Sequence, residues 1–112
     1  MAYVPDRSEL IWLDFDPQAG REQAKTRPAL VLSPQTFNKK TGFVIVCPVS
    51  SKAKGSPFEV ALPKGLKIEG VILCDQIRSS DWRARKALYA TTLSEHVLDE
   101  VIARVLPIIC MD

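Results

Sequence analysis

A carboxylate and a guanidinium lie five positions apart in a short polar stretch between two apolar segments. They are Glu22 and Arg27, within Gly20–Pro28. A carboxylate can act as a general base, and a guanidinium can hold a phosphate through two parallel hydrogen bonds. Ser50, at the end of a later apolar run, adds a hydroxyl. These groups suit phosphodiester chemistry, and the alternative is a solvated polar loop.

Other groups that commonly carry such chemistry are scarce. His96 is the single histidine, which excludes a two-histidine nuclease mechanism within one chain, and we expect it on a helix surface. Asp14 and Asp16 have no third ligand nearby, so no metal site is predicted. The three cysteines are widely spaced and are expected to be buried, reduced thiols: Cys47, Cys74 and Cys110.

Charge is distributed unevenly along the chain. The net charge is +2, yet the segment from Gly20 to Lys54 holds seven basic residues and one acid. Such asymmetry favours a polyanionic partner on one face, and solvated lysines on loops are the alternative. A second polar stretch, Asp75–Arg85, is expected to be a polar turn held by Asp–Arg pairs at Asp75 and Asp81, and its arginines could still extend the basic surface. Three aromatic residues near these loops are expected to be exposed and could stack on unpaired bases, and the alternative is that they belong to the core, as single aromatics more often do: Phe15, Phe37 and Trp82.

Short apolar segments separated by turn residues predict an antiparallel sheet. In Leu10–Phe15, Ile11, Leu13 and Phe15 share one face, opposite a mixed outer face. Nearly continuous apolar runs predict central strands, and shorter runs predict further strands. These segments are Ala29–Leu32, Phe43–Val49, Phe58–Leu62 and Gly70–Leu73, with a turn predicted at Asn38–Gly42.

The period changes near the end of the chain, where apolar residues recur at helical spacing. They are Val97, Leu98, Val101, Ile102, Val105 and Leu106. Thr92 and Glu95 have the spacing of a capping box at the helix start, and Pro107 is expected to end or kink the helix. Strands followed by one helix indicate a mainly β, α+β fold: a small antiparallel barrel closed by a C-terminal helix.

A length of 112 residues predicts one domain, residues 1–112. Hydrophobic content of 46% allows a packed core, and pairing with a second copy would bury more surface. No apolar run approaches the ~18 residues that span a bilayer, and no signal-peptide pattern is present. We therefore expect a cytoplasmic protein that does not enter a membrane.

Three motifs are highly specific in combination: G-x-E-Q-x-x-x-R-P from Gly20, K-G-x-P-F-E-V from Lys54 and D-Q-I-R from Asp75. Matching residues extend over most of the remaining chain, within Tyr3–Asp6, Leu10–Pro17, Ala29–Pro34, Asn38–Gly42 and Trp82–Arg85. On these residues the sequence resembles, nearly end to end, the MazF/PemK (Kid) toxins of bacterial toxin–antitoxin modules.

The resemblance implies a homodimeric endoribonuclease with an SH3-like barrel. Such an enzyme cuts single-stranded RNA at short sequences without a metal or cofactor, leaving a 2′,3′-cyclic phosphate and a 5′-hydroxyl. The resemblance puts Glu22 and Arg27 on the family's catalytic residues, and Ser50 where many members have threonine. We expect Glu22 to accept the proton of a 2′-hydroxyl, and Arg27 to hold the phosphorane charge rather than give up a proton. Ser50 would bond a phosphate oxygen.

We expect further residues of the surrounding loops to bind the RNA. They are Phe15, Gln23, Lys25, Ser51, Lys52, Lys54, Gln76, Arg78 and Arg83. The same basic surface suits an acidic, partly disordered segment of a MazE-like antitoxin, and the resemblance implies that the pair binds its own operator DNA. The alternative functions are a non-catalytic toxin like CcdB, which poisons DNA gyrase, and a plain RNA-binding module. The Glu22 and Arg27 motif argues against the gyrase reading.

Overall fold

The computed structural model describes residues 3–15 and 26–110. Within these ranges the elements follow in the order β1 (Glu9–Asp14), β2 (Thr26–Val31), α1 (Gln35–Thr41), β3 (Phe43–Ser50), β4 (Glu59–Ala61), β5 (Val71–Leu73), a 3₁₀ turn (Cys74–Gln76), β6 (Arg78–Asp81), β7 (Leu88–Thr92) and α2 (Glu95–Cys110). The predicted class, mainly β with a C-terminal helix, is confirmed. No helix in the described ranges has the length and apolar character needed to cross a membrane.

All strand pairings in the described ranges are antiparallel, and β3 is the centre of the sheet. The strand order is β4-β5-β3-β2-β1-β7, and β6 also pairs with β3. The first half of β3 pairs with β6, while its last two residues, Val49 and Ser50, pair with β5. Because the described pairings do not join β4 to β7, the sheet is open, and the predicted barrel describes it only loosely.

The central strands bury both faces. One face of β1, β2 and β3 packs with α2 around Leu10, Leu30 and Cys47. The other face forms a second cluster that includes Ile11 and Trp82. A strand buried on both faces needs apolar residues at successive positions, so burial on both faces explains the continuous apolar runs of the central strands. The expectation of a mixed outer face on β1 is therefore wrong at Leu10, which is fully buried under α2.

The segment expected as a turn at Asn38–Gly42 is the second half of α1. Gly42 ends the helix with a φ of +78°, and its N–H donates to the Asn38 carbonyl over 3.0 Å. The Asn38 side chain is fully buried, and its amide donates to the carbonyls of Pro5 (2.8 Å) and Ser33 (3.0 Å). Trp82 donates its indole N–H to the Asn38 carbonyl over 2.8 Å. The helix is thus held by buried hydrogen bonds that its short sequence does not reveal.

The C-terminal helix confirms the predicted stripe but differs at both ends. Val97, Leu98, Val101 and Val105 are buried. Thr92 belongs to β7, so the predicted capping box is wrong, and Ser94 instead accepts a hydrogen bond from the Val97 N–H through its hydroxyl (3.4 Å). The helix continues through Pro107 to Cys110, so Pro107 does not end it.

Candidate active site

Arg27 is the second residue of β2 and is exposed, as predicted for a residue that Pro28 holds in an extended conformation. The predicted partners Glu22, Gln23 and Lys25 lie outside the described residues.

The register between β2 and β3 brings Arg27 towards Ser50. Ala29 pairs with Pro48 and Leu30 with Cys47, in an antiparallel ladder. Continuing this register by two residues sets Arg27 opposite Ser50, the last residue of β3. Two residues that are 23 positions apart in the sequence therefore lie at the same end of the β2–β3 pair.

The Ser50 hydroxyl takes part in a local turn. It accepts a hydrogen bond from the Lys52 N–H over 3.1 Å and donates to the Lys52 carbonyl over 3.3 Å. The second bond is long, and therefore weak, for an O–H donor. The hydroxyl is half-buried, so a phosphate oxygen at this position would take the place of the Lys52 carbonyl as acceptor.

Gly70 packs against the backbone that carries Ser50. Its φ is +138°, and a Cβ added there would lie 2.2 Å from the Ser50 carbonyl oxygen. Its own carbonyl accepts a hydrogen bond from the Leu62 N–H over 3.0 Å. The start of β5 therefore sits directly on the end of β3, at a distance that only glycine permits.

A pocket of about 450 Å³ opens beside Arg27. Its lining residues come from the start of β2, the end of β3, β1 and the segment before β5: Trp12, Thr26, Arg27, Pro28, Val49, Ser51, Lys67, Ile68 and Glu69. Sequence analysis predicted Arg27 and Ser51 here but missed Lys67 and Glu69. The signal for both was the alternation of charged and apolar residues between Gly65 and Gly70.

The loop after β3 presents the predicted residues Ser51, Lys52 and Lys54, and all three are exposed. The Glu59 carboxylate accepts hydrogen bonds from the backbone N–H groups of Lys54 (3.1 Å) and Gly55 (3.1 Å). This contact explains why the K-G-x-P-F-E-V motif needs an acid at that position. Glu59, which sequence analysis did not single out, shapes the loop from behind while the lysine side chains face solvent.

The predicted stacking residues Phe15 and Trp82 are 5% and 4% exposed, so the expectation that they are free to stack on bases is wrong. Each instead lies under an arginine. The Arg78 guanidinium is 5.0 Å from the Phe15 ring centre, and that of Arg83 is 4.8 Å from the Trp82 ring centre. Cation–π contact holds both guanidinium groups at the surface, where they are exposed.

The described lysines of the predicted basic segment lie near the two opposite ends of β3. Lys39 and Lys40 lie in the last turn of α1, just before the start of β3, whereas Lys52 and Lys54 follow its end. Eight residues of strand separate these pairs by about 25 Å, taking about 3.3 Å per residue. The Arg27 pocket lies at the Lys52 end. Gln76 is exposed on the 3₁₀ turn.

The remaining titratable groups are structural or peripheral. His96 has an 83% exposed side chain and contacts Glu100 at 3.2 Å, which confirms its predicted place on a helix surface. Cys47 and Cys74 are buried, and desolvation raises the pKa of their thiols to about 12 and about 11. Cys110 is exposed, so the prediction that it is buried is wrong. No group of three potential metal ligands occurs within residues 3–15 and 26–110.

A family model and characterised relatives match nearly the whole chain. The family model for the PemK-like, MazF-like toxin of type II toxin–antitoxin systems matches residues 6–109. The endoribonuclease toxin MazF of Escherichia coli K12 is 48% identical over 103 residues, which is 92% of either chain.

Solved structures of MazF proteins have the same fold as this chain. A crystal structure of MazF from Deinococcus radiodurans is 50% identical, covers 98% of this chain and 100% of its own, and has a TM-score of 0.91. A structure of MazE–MazF from the same organism is 44% identical, covers 99% of this chain and 100% of its own, and has a TM-score of 0.88. The similarity therefore extends over nearly the whole chain.

Proposed function

Because this chain belongs to the PemK-like, MazF-like family of type II toxins and is an endoribonuclease toxin, we propose that it cuts single-stranded RNA at the Arg27 edge of the sheet, by a metal-independent mechanism. The cut would occur at short specific sequences and would stop translation and growth.

In the proposed reaction, a 2′-hydroxyl of the RNA attacks the adjacent phosphodiester of the same strand. The 2′-oxygen forms a bond to the adjacent phosphorus while the bond from phosphorus to the 5′-oxygen breaks, which leaves a 2′,3′-cyclic phosphate and a 5′-hydroxyl. Glu22 accepts the proton of the attacking 2′-hydroxyl, and another group returns a proton to the leaving 5′-oxygen. Arg27 holds the extra negative charge of the phosphorane through parallel N–H donors, which a permanently protonated guanidinium does well. Ser50 bonds a phosphate oxygen.

The observation that carries this proposal is the convergence of Arg27 and the end of β3 on one pocket. The pocket holds a strong phosphate-binding cation, and its lining includes Ser51 beside Ser50. Its volume of about 450 Å³ lies within the range of small-molecule sites. The exposed arginines Arg78 and Arg83 and the lysines Lys52 and Lys54 supply charge for a polyanion.

The test is cleavage of a single-stranded transcript in excess chelator by wild type, Glu22→Gln, Arg27→Ala and Ser50→Ala. We expect wild-type cleavage to persist and its 5′ ends to accept phosphate from a polynucleotide kinase without prior dephosphorylation. Arg27→Ala should lower kcat by about 10²–10³-fold, the usual effect of removing one donor to a developing oxyanion.

Arg27→Lys serves as the matched control, because it keeps the charge but loses the two-pronged geometry. It should recover only part of the rate. Dependence of the wild type on a divalent metal would refute the mechanism, and full activity in a folded Arg27→Ala variant would refute the role of Arg27.

The partners follow from the same surface. An acidic antitoxin segment of the MazE type would bind the basic loops and block the pocket, ordering as it docks.

Exposed apolar side chains, among them Leu88 and Ile109, support a homodimer, which light scattering would test. Operator DNA binding by the complex rests on family resemblance alone. Since the substrate is messenger RNA, the place of action would be the cytoplasm. A CcdB-like gyrase poison is not favoured, because the curated relatives are endoribonucleases.

A further inference from the structure

Lys67 lines the same pocket as Arg27 and belongs to a segment outside the motifs described above. The segment is well anchored. Leu66 and Ile68 are partly buried against the main core cluster, and Gly70 rests on the Ser50 carbonyl. Because buried and exposed residues alternate here, Lys67 and Glu69 are exposed on either side of Ile68. The Lys67 side chain therefore projects from a fixed backbone and not from a loose loop.

The charges around the pocket favour an anion that extends beyond one phosphate. The described lining contains two cations, Arg27 and Lys67, and one carboxylate, Glu69. Within the described residues, Lys67 makes no ion pair with any carboxylate. Its ammonium is thus available to a ligand of the pocket that Arg27 also lines.

We propose that Lys67 binds an RNA backbone phosphate next to the one that is cut, so that the strand crosses the pocket from Arg27 to the 67–69 wall. This inference rests on the proposed function in taking Arg27 as the site of cleavage. A single-stranded RNA carries a phosphate at every nucleotide, so a strand held at one wall presents its next phosphate towards the other. An ammonium on a flexible stem suits such a contact, which holds the strand without taking part in bond breaking.

The experiment measures two quantities for wild type, Lys67→Ala, Lys67→Arg and Lys64→Ala. The first is kcat and KM for RNA cleavage. The second is the dissociation constant, over a range of salt concentrations, for a single-stranded 2′-O-methyl oligonucleotide, which binds but lacks the attacking hydroxyl. Lys64 is the matched control, since it is an exposed lysine of the same segment that does not line this pocket.

We expect Lys67→Ala to raise KM and the dissociation constant about two- to fivefold, the range of one exposed ion pair, with kcat unchanged. It should also lower the slope of log affinity against log salt by about 0.7, which corresponds to one phosphate contact on a single strand. Lys67→Arg should restore both values, and Lys64→Ala should match wild type.

If Lys67→Ala binds the oligonucleotide with the affinity and salt slope of wild type, the inference is overturned. This holds even if the variant binds an acidic peptide more weakly than wild type does. Equal effects from Lys64→Ala would overturn it too, because they would indicate general charge attraction. Failure of the wild type to cleave RNA would instead count against the proposed function, since the non-cleavable oligonucleotide reports on Lys67 separately.

Discussion

Replacing Gly70 with alanine tests whether the contact between β5 and β3 positions the catalytic edge. The new Cβ would lie 2.2 Å from the Ser50 carbonyl oxygen, whereas real contacts of this kind essentially never fall below 3.0 Å. The two segments must therefore separate by about 0.8 Å. Because the neighbouring atom belongs to the backbone, no side chain can rotate away to relieve the overlap.

The displacement acts at Ser50, whose hydroxyl is proposed to bond a phosphate oxygen. A misplacement of about 1 Å can cost about 100-fold in rate, so we expect Gly70→Ala to lower kcat by roughly that factor. The positive φ adds about 1–2 kcal/mol of strain, and the overlap about 1–3 kcal/mol more, which reduces stability without abolishing a typical fold. The assay is RNA cleavage at saturating substrate, well below the melting temperature, together with thermal unfolding.

Gly65→Ala provides the matched control. Gly65 lies in the same connection with a φ of +92°, but a Cβ there meets nothing within 4 Å. This variant should bear a similar backbone strain and keep a kcat close to that of wild type. A Gly70→Ala enzyme that is folded and as active as Gly65→Ala would refute the reasoning, because the clash would then have no effect on Ser50.

Four further predictions concern the scaffold. Asn38→Ala should lower the free energy of unfolding by about 3–5 kcal/mol in denaturant titration, because two buried carbonyls lose their amide donor and the Ser33 O–H loses its acceptor; a loss below about 1 kcal/mol would contradict this. Pro107→Ala should raise the melting temperature, because an exposed proline inside α2 withholds one helical N–H; an unchanged or lower value would count against it. Iodoacetamide at pH 9 should label Cys110 and spare the two buried thiols of the folded protein, as mass spectrometry would show. The same raised pKa values mean that stability falls as pH rises from about 9 towards about 11–12, because the unfolded thiols ionise first.

The local patterns predicted most elements correctly, since they depend on nearest neighbours in the chain. Continuous apolar runs indicated β2 and β3, and the helical stripe indicated α2. The errors arose where a distant partner decides the outcome. Asn38 was assigned to a turn because its buried bonds to Pro5 and Ser33 are formed only in the folded chain. Phe15 was expected to be exposed, but the second core cluster and Arg78 cover it.

The sequence by itself determined the chemical repertoire of this protein. One carboxylate, one guanidinium and a single histidine left phosphate chemistry and a solvated loop both open, and the resemblance of the motifs to the endoribonuclease toxins favoured RNA chemistry. Only the tertiary structure decided which groups share a site. The register of β2 on β3 brings Arg27 and Ser50 to the same end of the strand pair, and the contact of Gly70 with Ser50 helps to bring Lys67 to the same pocket as Arg27. The physical reason is that strand pairing and close backbone contact join residues far apart in the chain, and no local pattern records these contacts.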